Sequence, residues 1–477
     1  MADTNRPGWT ASVETVPSQP RGSRWRLGGD GQQPSLDTLA ALQEKTDRLR
    51  IFAAMPDTTV SERDRKYVLR VFQFMLIAVV VGQRISIPFG SFPIGLPLVA
   101  AFVGILFARL RGGVRYNRVR SELYIAAGSA LVLATWFTSF RGDDVSVNSL
   151  LLLLVIYLPW VFCVSTQFAD LMLPLMRTFV RLMLVLGLVG AFQMVAQVVL
   201  HWTYTDYLAK WVNADFLTVG FNTYNQISYT NPVAKANDFV FLEPSFLCQF
   251  CALALIISLL IRAPAWQPLI LGLGMAATLS GTGILLLVVG VTLLFLRVPN
   301  RIRPSYLIAG MVALAVIFST PAANILLDRR NETSQQGSSG YIRFVQPYTE
   351  VSKGLGAEVS RYVIGSGPGS SDRLLASTRT GGPAVTYTIA PKLAFEYGLI
   401  AAVLFISFLL VSILRGPPIP VLPTSVAFMI FFLSGSLLQP HTIVLAWILS
   451  SLWGPPVTVG VSDALAAVMR RQNAPVG

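Results

Sequence analysis

The feature that most constrains this chain is a series of twelve apolar runs, each close to the length of a membrane-spanning helix. A spanning helix needs roughly 20 apolar residues, because the hydrocarbon core of a bilayer is about 30 Å thick. Charged residues make up 13% of the 477 residues, against about 25% in soluble domains, and the mean hydropathy is +0.59. We therefore predict an all-α polytopic membrane protein with about 12 transmembrane helices, at 68–84, 92–109, 122–140, 149–167, 178–200, 243–262, 266–280, 282–297, 305–321, 389–414, 421–438 and 441–459.

The seventh and eighth runs together occupy only residues 266–297, with Ser280-Gly281-Thr282-Gly283 between them. Two short helices joined by a tight glycine turn fit this length better than one long helix. A broken or re-entrant pair is the alternative.

The distribution of positive charge predicts the orientation. Arginines crowd the loop at 109–120 and the loop that holds Arg297, Arg301 and Arg303, and cytoplasmic loops carry such an excess. Both termini are therefore predicted to be cytoplasmic, and two long loops are predicted to be external. The predicted organisation is a cytoplasmic tail at 1–66, transmembrane helices 1–9 at 67–321 including an external loop at 201–242, a large external loop at 322–388, transmembrane helices 10–12 at 389–459, and a cytoplasmic tail at 460–477.

One segment of the N-terminal tail has helical periodicity. From Ser35 to Met55, leucines fall roughly on one helical face, and Pro56 marks the end. We predict an amphipathic helix that lies on the membrane surface, with a docking helix for a partner protein as the alternative.

The first long loop, 201–242, is rich in aromatic residues and amides. Tyr and Trp present a flat apolar face with a polar group, and the C–H faces of sugar rings stack on such surfaces. Trp202, Tyr207 and Trp211 are therefore candidate carbohydrate-binding residues. An aromatic belt at the membrane interface is the alternative explanation.

Ionisable side chains near the ends of two spans are further candidates. Glu243 stands directly before Pro244 at the start of the sixth run, where the helix N-terminus favours a carboxylate. Lys392 and Glu396 are four residues apart, so they share a helix face within the tenth run. Intramembrane charges are functional candidates, although a structural ion pair explains Lys392 and Glu396 equally well.

The second long loop contains the sequence GSGPGSS at residues 365–371. Glycine permits positive φ and close backbone approach, and consecutive backbone N–H groups can bind an anion. Arginines in the same loop pair with phosphate oxygens. We predict that this segment holds a phosphate or pyrophosphate, with a flexible loop as the alternative; the residues concerned are Gly365, Gly367, Gly369, Arg343, Arg361 and Arg373.

The order of these features resembles the O-antigen polymerase and O-antigen ligase superfamily, and Wzy-type exopolysaccharide polymerases in particular. The resemblance rests on EPSF at the start of a span after an aromatic loop, SGTGIL between two middle spans, an Arg early in a large late loop, a GxGxG turn and ExGL in the next span. It covers roughly residues 68–459. It implies a GT-C-like architecture and a metal-independent glycosyltransferase without a cofactor.

One departure concerns the general base. The family often places a His-Asn pair about nine residues before the Glu of ExGL, where this chain has Tyr387 and Thr388. The chain has two histidines, His201 and His441. Glu243, Glu396 and His441 are therefore the candidate bases, and Arg343 is the first candidate for stabilising the leaving group.

The resemblance implies polymerisation of undecaprenyl-pyrophosphate-linked oligosaccharide repeat units at the periplasmic face of the bacterial inner membrane. A ligase that transfers the glycan to another acceptor, a polysaccharide transporter or flippase, and a non-catalytic assembly scaffold are the alternatives. The expected partners are the lipid-linked oligosaccharide and membrane lipids, without nucleic acid. Whether a flippase and a chain-length regulator of the export machinery also bind is left open.

Overall fold

The computed structural model describes residues 60–89, 92–218, 220–228, 231–306, 308, 310–311, 341, 344–356, 358–377, 387–415, 420–433 and 437–451, which all belong to one compact unit. The predicted amphipathic helix at Ser35–Met55, most of the ninth predicted span and Arg343 lie outside these residues.

Local capping sets the start of several helices in the first part of the chain. Asp64 donates its backbone N–H to the Ser61 hydroxyl over 3.1 Å, and Arg120 donates its backbone N–H to Asn117 over 3.1 Å. Such caps satisfy N–H groups that have no partner inside the helix. The elements are α1 (Glu62–Val81), β1 (Ser86–Phe89), β2 (Phe92–Gly95), α2 (Leu96–Leu110), β3 (Val114–Tyr116), α3 (Arg118–Phe140), α4 (Val147–Tyr157), a 3₁₀ turn (Leu158–Val161), β4 (Phe162–Val164), a 3₁₀ turn (Thr166–Leu171) and α5 (Met172–Val199).

The predicted break in the middle of the chain is confirmed, because one helix ends at Ala277 and the next begins at Gly281. A Cβ on Gly283 would lie 2.4 Å from the Cys248 sulfur, so the small residue lets two helices approach closely. The elements are α6 (Tyr207–Trp211), a 3₁₀ turn (Ala214–Phe216), β5 (Gln226–Ser228), β6 (Asn231–Ala234), α7 (Pro244–Leu260), α8 (Trp266–Ala277), α9 (Gly281–Arg297) and a 3₁₀ turn (Pro299–Arg301).

In the described residues from 344 onward, three short helices combine with three apolar ones. The long helix α13 is interrupted at Gly398, whose φ of 78° is not helical. The elements are α10 (Gln346–Gly356), α11 (Val359–Ile364), α12 (Ser370–Ser377), α13 (Ile389–Leu414), α14 (Val421–Phe428) continued by a π turn (Met429–Leu433), and α15 (Pro440–Ser451).

In the described part of the chain, the strands form three two-stranded antiparallel sheets, β1–β2, β3–β4 and β5–β6, which were not predicted from the sequence. Each strand has only three or four residues, too few for an alternating pattern to stand out beside long apolar helices. They pair loop segments at the helix ends and leave the fold predominantly helical, as predicted.

Among the described residues, three helical segments are long and apolar enough to cross a membrane: Arg118–Phe140, Thr166–Val199 and Ile389–Leu414. Seven further apolar helices have 10–17 residues. Apolar side chains such as Phe140 and Phe192, 77% and 64% exposed, cover the outer faces, as expected of a surface in contact with lipid. The chain is thus a membrane protein, and the number of spans stays a prediction.

Some helices are shorter than the predicted apolar runs, because a helix can end inside an apolar run when the protein surrounds the turn. The run at 421–438 shows this: the helical segment ends at Leu433, and Leu437 lies in a buried turn. Apolar length alone therefore overestimates the helical length in this run.

Contacts between loops sort into two groups that match the predicted sides. Among the loops predicted to be external, the Ser146 backbone N–H donates to the Pro368 carbonyl over 2.9 Å, and Arg84 binds Asp206. On the predicted cytoplasmic side, the buried Arg120 donates to the carbonyl of Ser412 in the last turn of α13 over 2.7 Å. Which group faces outward stays a prediction.

Candidate functional site

The GSGPGSS turn lies against the backbone of α13. Ser366 donates its backbone N–H to the Phe395 carbonyl over 2.8 Å, and Gly367 donates to the Glu396 carbonyl over 2.9 Å. A Cβ on Gly365 would lie 2.5 Å from the Glu396 carbonyl oxygen. The glycines therefore allow this turn to approach the ExGL segment of α13, at the point where Gly398 breaks the helix.

The other side of the turn faces the loop between α3 and α4. A Cβ on Gly367 would lie 2.9 Å from Val145, and one on Gly369 would lie 2.9 Å from Ser146. The turn is thus wedged between α13 and this loop. Gly365, Gly367 and Gly369 all have positive φ, as their predicted role in close approach requires.

Glu396 and Lys392 form a buried ion pair at the base of the second loop. Their side chains are 1% and 5% exposed, and Lys392 Nζ lies 3.7 Å from Glu396 Oε1. The Ser371 hydroxyl donates to the same oxygen over 2.6 Å, and the Gly369 backbone N–H also binds this carboxylate. The backbone N–H of Gly369 thus binds the side chain of Glu396, and binding of a phosphate or pyrophosphate by the turn stays a prediction.

Lys392 also binds a second carboxylate. Its Nζ lies 3.0 and 3.1 Å from the two oxygens of Asp372. Asp372 and Ser371 were not predicted from the sequence, because their partners lie across a loop and no local spacing connects them.

Two arginines of the second loop, Arg361 and Arg373, lie beside the turn and have partners. Arg361 pairs with Glu358 at 3.5 Å, and Glu358 also binds Arg141 from the end of α3. Arg373 donates to the backbone carbonyl of Asp144. Arg361 and Arg373 thus share one region, to which the structure adds Arg141, a residue that the sequence reading placed only in a short external loop.

Several aromatic side chains of the first long loop stack into one cluster. Trp202 lies 6.3 Å from Tyr207, and Tyr207 lies 5.5 Å from Trp211, measured between ring centroids. Phe239 packs against Trp202 at 5.7 Å. Trp211 is 79% exposed, so the three predicted sugar-binding residues form a row whose end is open to ligand.

A buried arginine anchors this aromatic cluster. Arg84 donates to the Phe239 carbonyl over 2.8 Å and to the Asp206 carboxylate over 2.6 Å. Burial acts to raise the pKa of Asp206, but the hydrogen bond from Arg84 and the backbone N–H of Ala209 hold this pKa below its ordinary value. The only indication of this contact in the sequence was a single arginine, Arg84, at the end of the first apolar run. Its partner Asp206 is 122 residues away.

Glu243 and His441 both lie at the N-terminal end of α7. His441 packs edge-on against Phe246 of the first turn of α7, with 4.6 Å between ring centroids, and against Phe221 of the aromatic loop. Glu243 is the N-cap residue of α7, is half-buried and accepts a hydrogen bond from the Ser245 hydroxyl over 3.1 Å. His441 is buried, and its Nε2 has no hydrogen-bond partner in the described chain.

Tyr387 occupies the position at which the resemblance would place a histidine. Burial raises the pKa of its hydroxyl, and the neighbouring Glu350, Asp372 and Glu396 carboxylates raise it further. Tyr387 therefore stays protonated and can donate a hydrogen bond, but it cannot replace a histidine base. Within the described ranges, no three His, Cys, Asp or Glu side chains are grouped to hold a metal ion.

The model of the WcaD colanic acid polymerase family matches residues 71–452. The match includes the aromatic loop, the glycine turn and every predicted site residue. No curated protein and no solved structure matches the chain significantly. The predicted resemblance is therefore confirmed, and joining sugar units is a glycosyl-transfer activity. Over most of its length, the chain belongs to the WcaD colanic acid polymerase family of Wzy-type polysaccharide polymerases.

Proposed function

We propose that this protein joins undecaprenyl-pyrophosphate-linked oligosaccharide repeat units into an exopolysaccharide at the periplasmic face of the bacterial inner membrane. The observation that carries the proposal is the family match, which spans residues 71–452 and so includes both long loops and the helices that hold them. The excess of arginine in the short loops opposite these long loops supports an external site.

In the proposed reaction, a hydroxyl oxygen of one lipid-linked repeat unit attacks the anomeric carbon of the growing glycan. The new C–O bond forms as the bond to the pyrophosphate oxygen breaks, and undecaprenyl pyrophosphate leaves with that electron pair. A base accepts the proton of the attacking hydroxyl.

The first loop forms the acceptor side of the proposed site. The row of Trp202, Tyr207 and Trp211 offers stacking faces for sugar rings, and the loop ends at Glu243. We assign the base to Glu243, because its carboxylate is half-buried and no cation occupies it among the described contacts. Glu396 is bound by Ser371 and Lys392, and His441 is enclosed by two phenylalanines. Both residues therefore rank below Glu243 as candidates for the base.

The second loop forms the donor side. Charge develops on the departing pyrophosphate, and fixed guanidinium groups stabilise such charge without reorganisation. We assign this role to Arg343 first and to Arg361 and Arg373 next. Arg361 contacts Glu358 through its Nε, so its terminal guanidinium nitrogens can bind the pyrophosphate.

Purified protein in liposomes, supplied with lipid-linked repeat units, tests the proposal. We expect a ladder of polymer lengths on the lipid carrier. Arg343→Ala should reduce the rate by roughly 100- to 1000-fold, and Glu243→Gln by roughly 100- to 10000-fold. Arg329→Ala, outside the assigned set, serves as the control and should polymerise normally.

The products separate the alternatives. Transfer of a single glycan to another acceptor would indicate a ligase, and movement of lipid-linked units across the bilayer without new glycosidic bonds would indicate a flippase. If folded, inserted wild-type protein yields none of these products, the assignment as an enzyme is wrong.

A further inference from the structure

A cluster of carboxylates lies at the base of the second loop. Asp372 and Glu396 bind Lys392 from either side, and Tyr387 interacts with Glu350 of α10. Gln346 donates to Glu350 over 3.0 Å, which fixes that carboxylate. We call Glu350, Asp372 and Glu396 with Lys392 the carboxylate cluster.

The carboxylate cluster is negative in a chain whose formal net charge is +13. Its three carboxylates face one ammonium group, that of Lys392. Lys392 also pairs with the buried Glu396, so it only partly compensates the charge of Asp372. Pyrophosphate would be repelled here. Neutral hydroxyl groups, which donate hydrogen bonds to carboxylates, would be attracted.

Three buried hydroxyl groups in the segments that carry Ser371 and Lys392 have no hydrogen-bond partner in the described part of the chain: Ser366 Oγ and Ser370 Oγ in the GSGPGSS segment, and Thr388 Oγ1 directly before α13. Thr388 is 1% exposed and its carbonyl accepts the Lys392 backbone N–H, and Ser370 precedes Ser371, the partner of Glu396. Buried polar groups without partners are rare, so these hydroxyls point to a polar occupant.

Asp372 is the accessible member of the carboxylate cluster. Its side chain is 62% exposed, whereas those of Lys392 and Glu396 are 5% and 1% exposed. Arg373, the next residue, is also exposed and lies on the side of the loop between α3 and α4. A ligand with an anionic group at one end and hydroxyl groups at the other can therefore bind the Arg373 guanidinium and the Asp372 carboxylate at the same time.

We propose that the carboxylate cluster binds the donor sugar whose anomeric carbon reacts, with Asp372 in contact with that sugar. This inference rests on the proposed function and names the substrate group that this part of the site holds. Asp372 accepts hydrogen bonds from the sugar hydroxyls, and the unpartnered hydroxyls of Ser366, Ser370 and Thr388 complete the polar contacts.

The carboxylate of Asp372 also has an electrostatic role in the reaction. As the bond from the anomeric carbon to the pyrophosphate oxygen breaks, the electron pair leaves with the pyrophosphate and positive charge develops on the sugar ring. A fixed negative charge beside the ring stabilises that state more than the neutral ground state. Glycosidases use carboxylates beside the ring in the same electrostatic sense.

The test uses the liposome polymerisation assay with purified lipid-linked repeat units as the probe. Asp372→Asn keeps the size of the side chain and removes its charge. We expect kcat to fall roughly 100-fold, with a smaller change in KM, while Asp372→Glu recovers much of the rate. Glu122→Gln, an exposed carboxylate at the start of α3, should retain the wild-type rate.

A double variant separates substrate contact from support of Lys392. Asp372→Asn alone leaves a buried ammonium with one partner fewer, whereas Asp372→Asn with Lys392→Met removes both charges. Because Lys392 also pairs with Glu396, the double variant is compared with Lys392→Met alone. If Asp372 contacts the sugar, the folded double variant is slower than Lys392→Met by about the factor seen in the wild-type background. Equal rates in Lys392→Met and the double variant would overturn the inference.

The double variant also decides the question if Asp372→Asn alone does not fold. An absence of polymer from wild-type protein would contradict the proposed function itself. Wild-type polymerisation together with an unchanged rate in Asp372→Asn would contradict only this inference.

Discussion

Replacing Gly365 with alanine tests what the glycine turn approaches. Gly365 has φ 75° and ψ −165°, a region of backbone space that essentially only glycine occupies. The new Cβ would lie 2.5 Å from both the carbonyl carbon and the oxygen of Glu396 and 2.6 Å from the backbone nitrogen of Gly398. All three contacts are to backbone, so rotation of a side chain cannot relieve them.

Two contributions set the magnitude. The backbone conformation costs a non-glycine residue about 1–3 kcal/mol, and overpacking against fixed atoms adds about 1–3 kcal/mol. We therefore expect Gly365→Ala to lower the free energy of unfolding by about 2–6 kcal/mol. The displaced turn should also weaken the hydrogen bonds that Ser366 and Gly367 donate to α13.

Gly112→Ala is the matched control, because Gly112 has φ 69° and no atom lies within 4 Å of its Cβ position. Only the backbone cost remains there, about 1–2 kcal/mol. Unfolding by SDS titration in mixed micelles measures both variants, and polymerisation is assayed in parallel. Equal destabilisation of both variants, with activity lost only in Gly365→Ala, would refute the packing argument and favour an open ligand cradle at the turn.

Three further predictions concern the first loop and the topology. Trp211→Ala should raise the KM for the acceptor without lowering protein abundance in the membrane, whereas the exposed Trp266→Ala should change neither; equal losses of abundance would favour an interfacial anchor. Asp238 is buried without a partner for its carboxylate in the described chain, and burial raises its pKa to about 8. The folded protein therefore favours the neutral form of Asp238. The free energy of unfolding of the wild type should fall by up to about 1.4 kcal/mol per pH unit as the pH rises from about 4 to 8. Asp238→Asn should remove this slope when unfolding is measured over a series of pH values. Reporter fusions after Arg120 and after Ser338 should locate these two positions on opposite sides of the membrane. If both fusions locate to the same side, the predicted topology is wrong.

The sequence left two explanations open for the buried Glu396, a role in the site and a structural ion pair with Lys392. Spacing placed Lys392 and Glu396 on one helix face, which the ion pair at 3.7 Å confirms. Whether the pair faces substrate or protein depended on Ser371, which is 25 residues away and comes close only because the loop folds back onto α13.

Local properties of the sequence determined the class of fold, the positions of most apolar helices and the break before Gly281. The free energy of placing each apolar or charged residue in a membrane depends mainly on that residue, so runs and charge bias are readable directly. Motif order likewise indicated the polymerase superfamily. The glycines at 365–369 indicated close approach for the same reason, because positive φ is a property of one residue.

Only the tertiary structure decided what those residues contact. The glycine turn meets the backbone of α13, Arg84 anchors the aromatic loop through Asp206, and Glu243 shares one end of α7 with His441. These pairings join segments that lie far apart in the chain, and they depend on how helices of similar apolar character pack against one another. Many sequences of equal hydropathy are compatible with a given packing, so no local pattern specifies which distant loop ends meet.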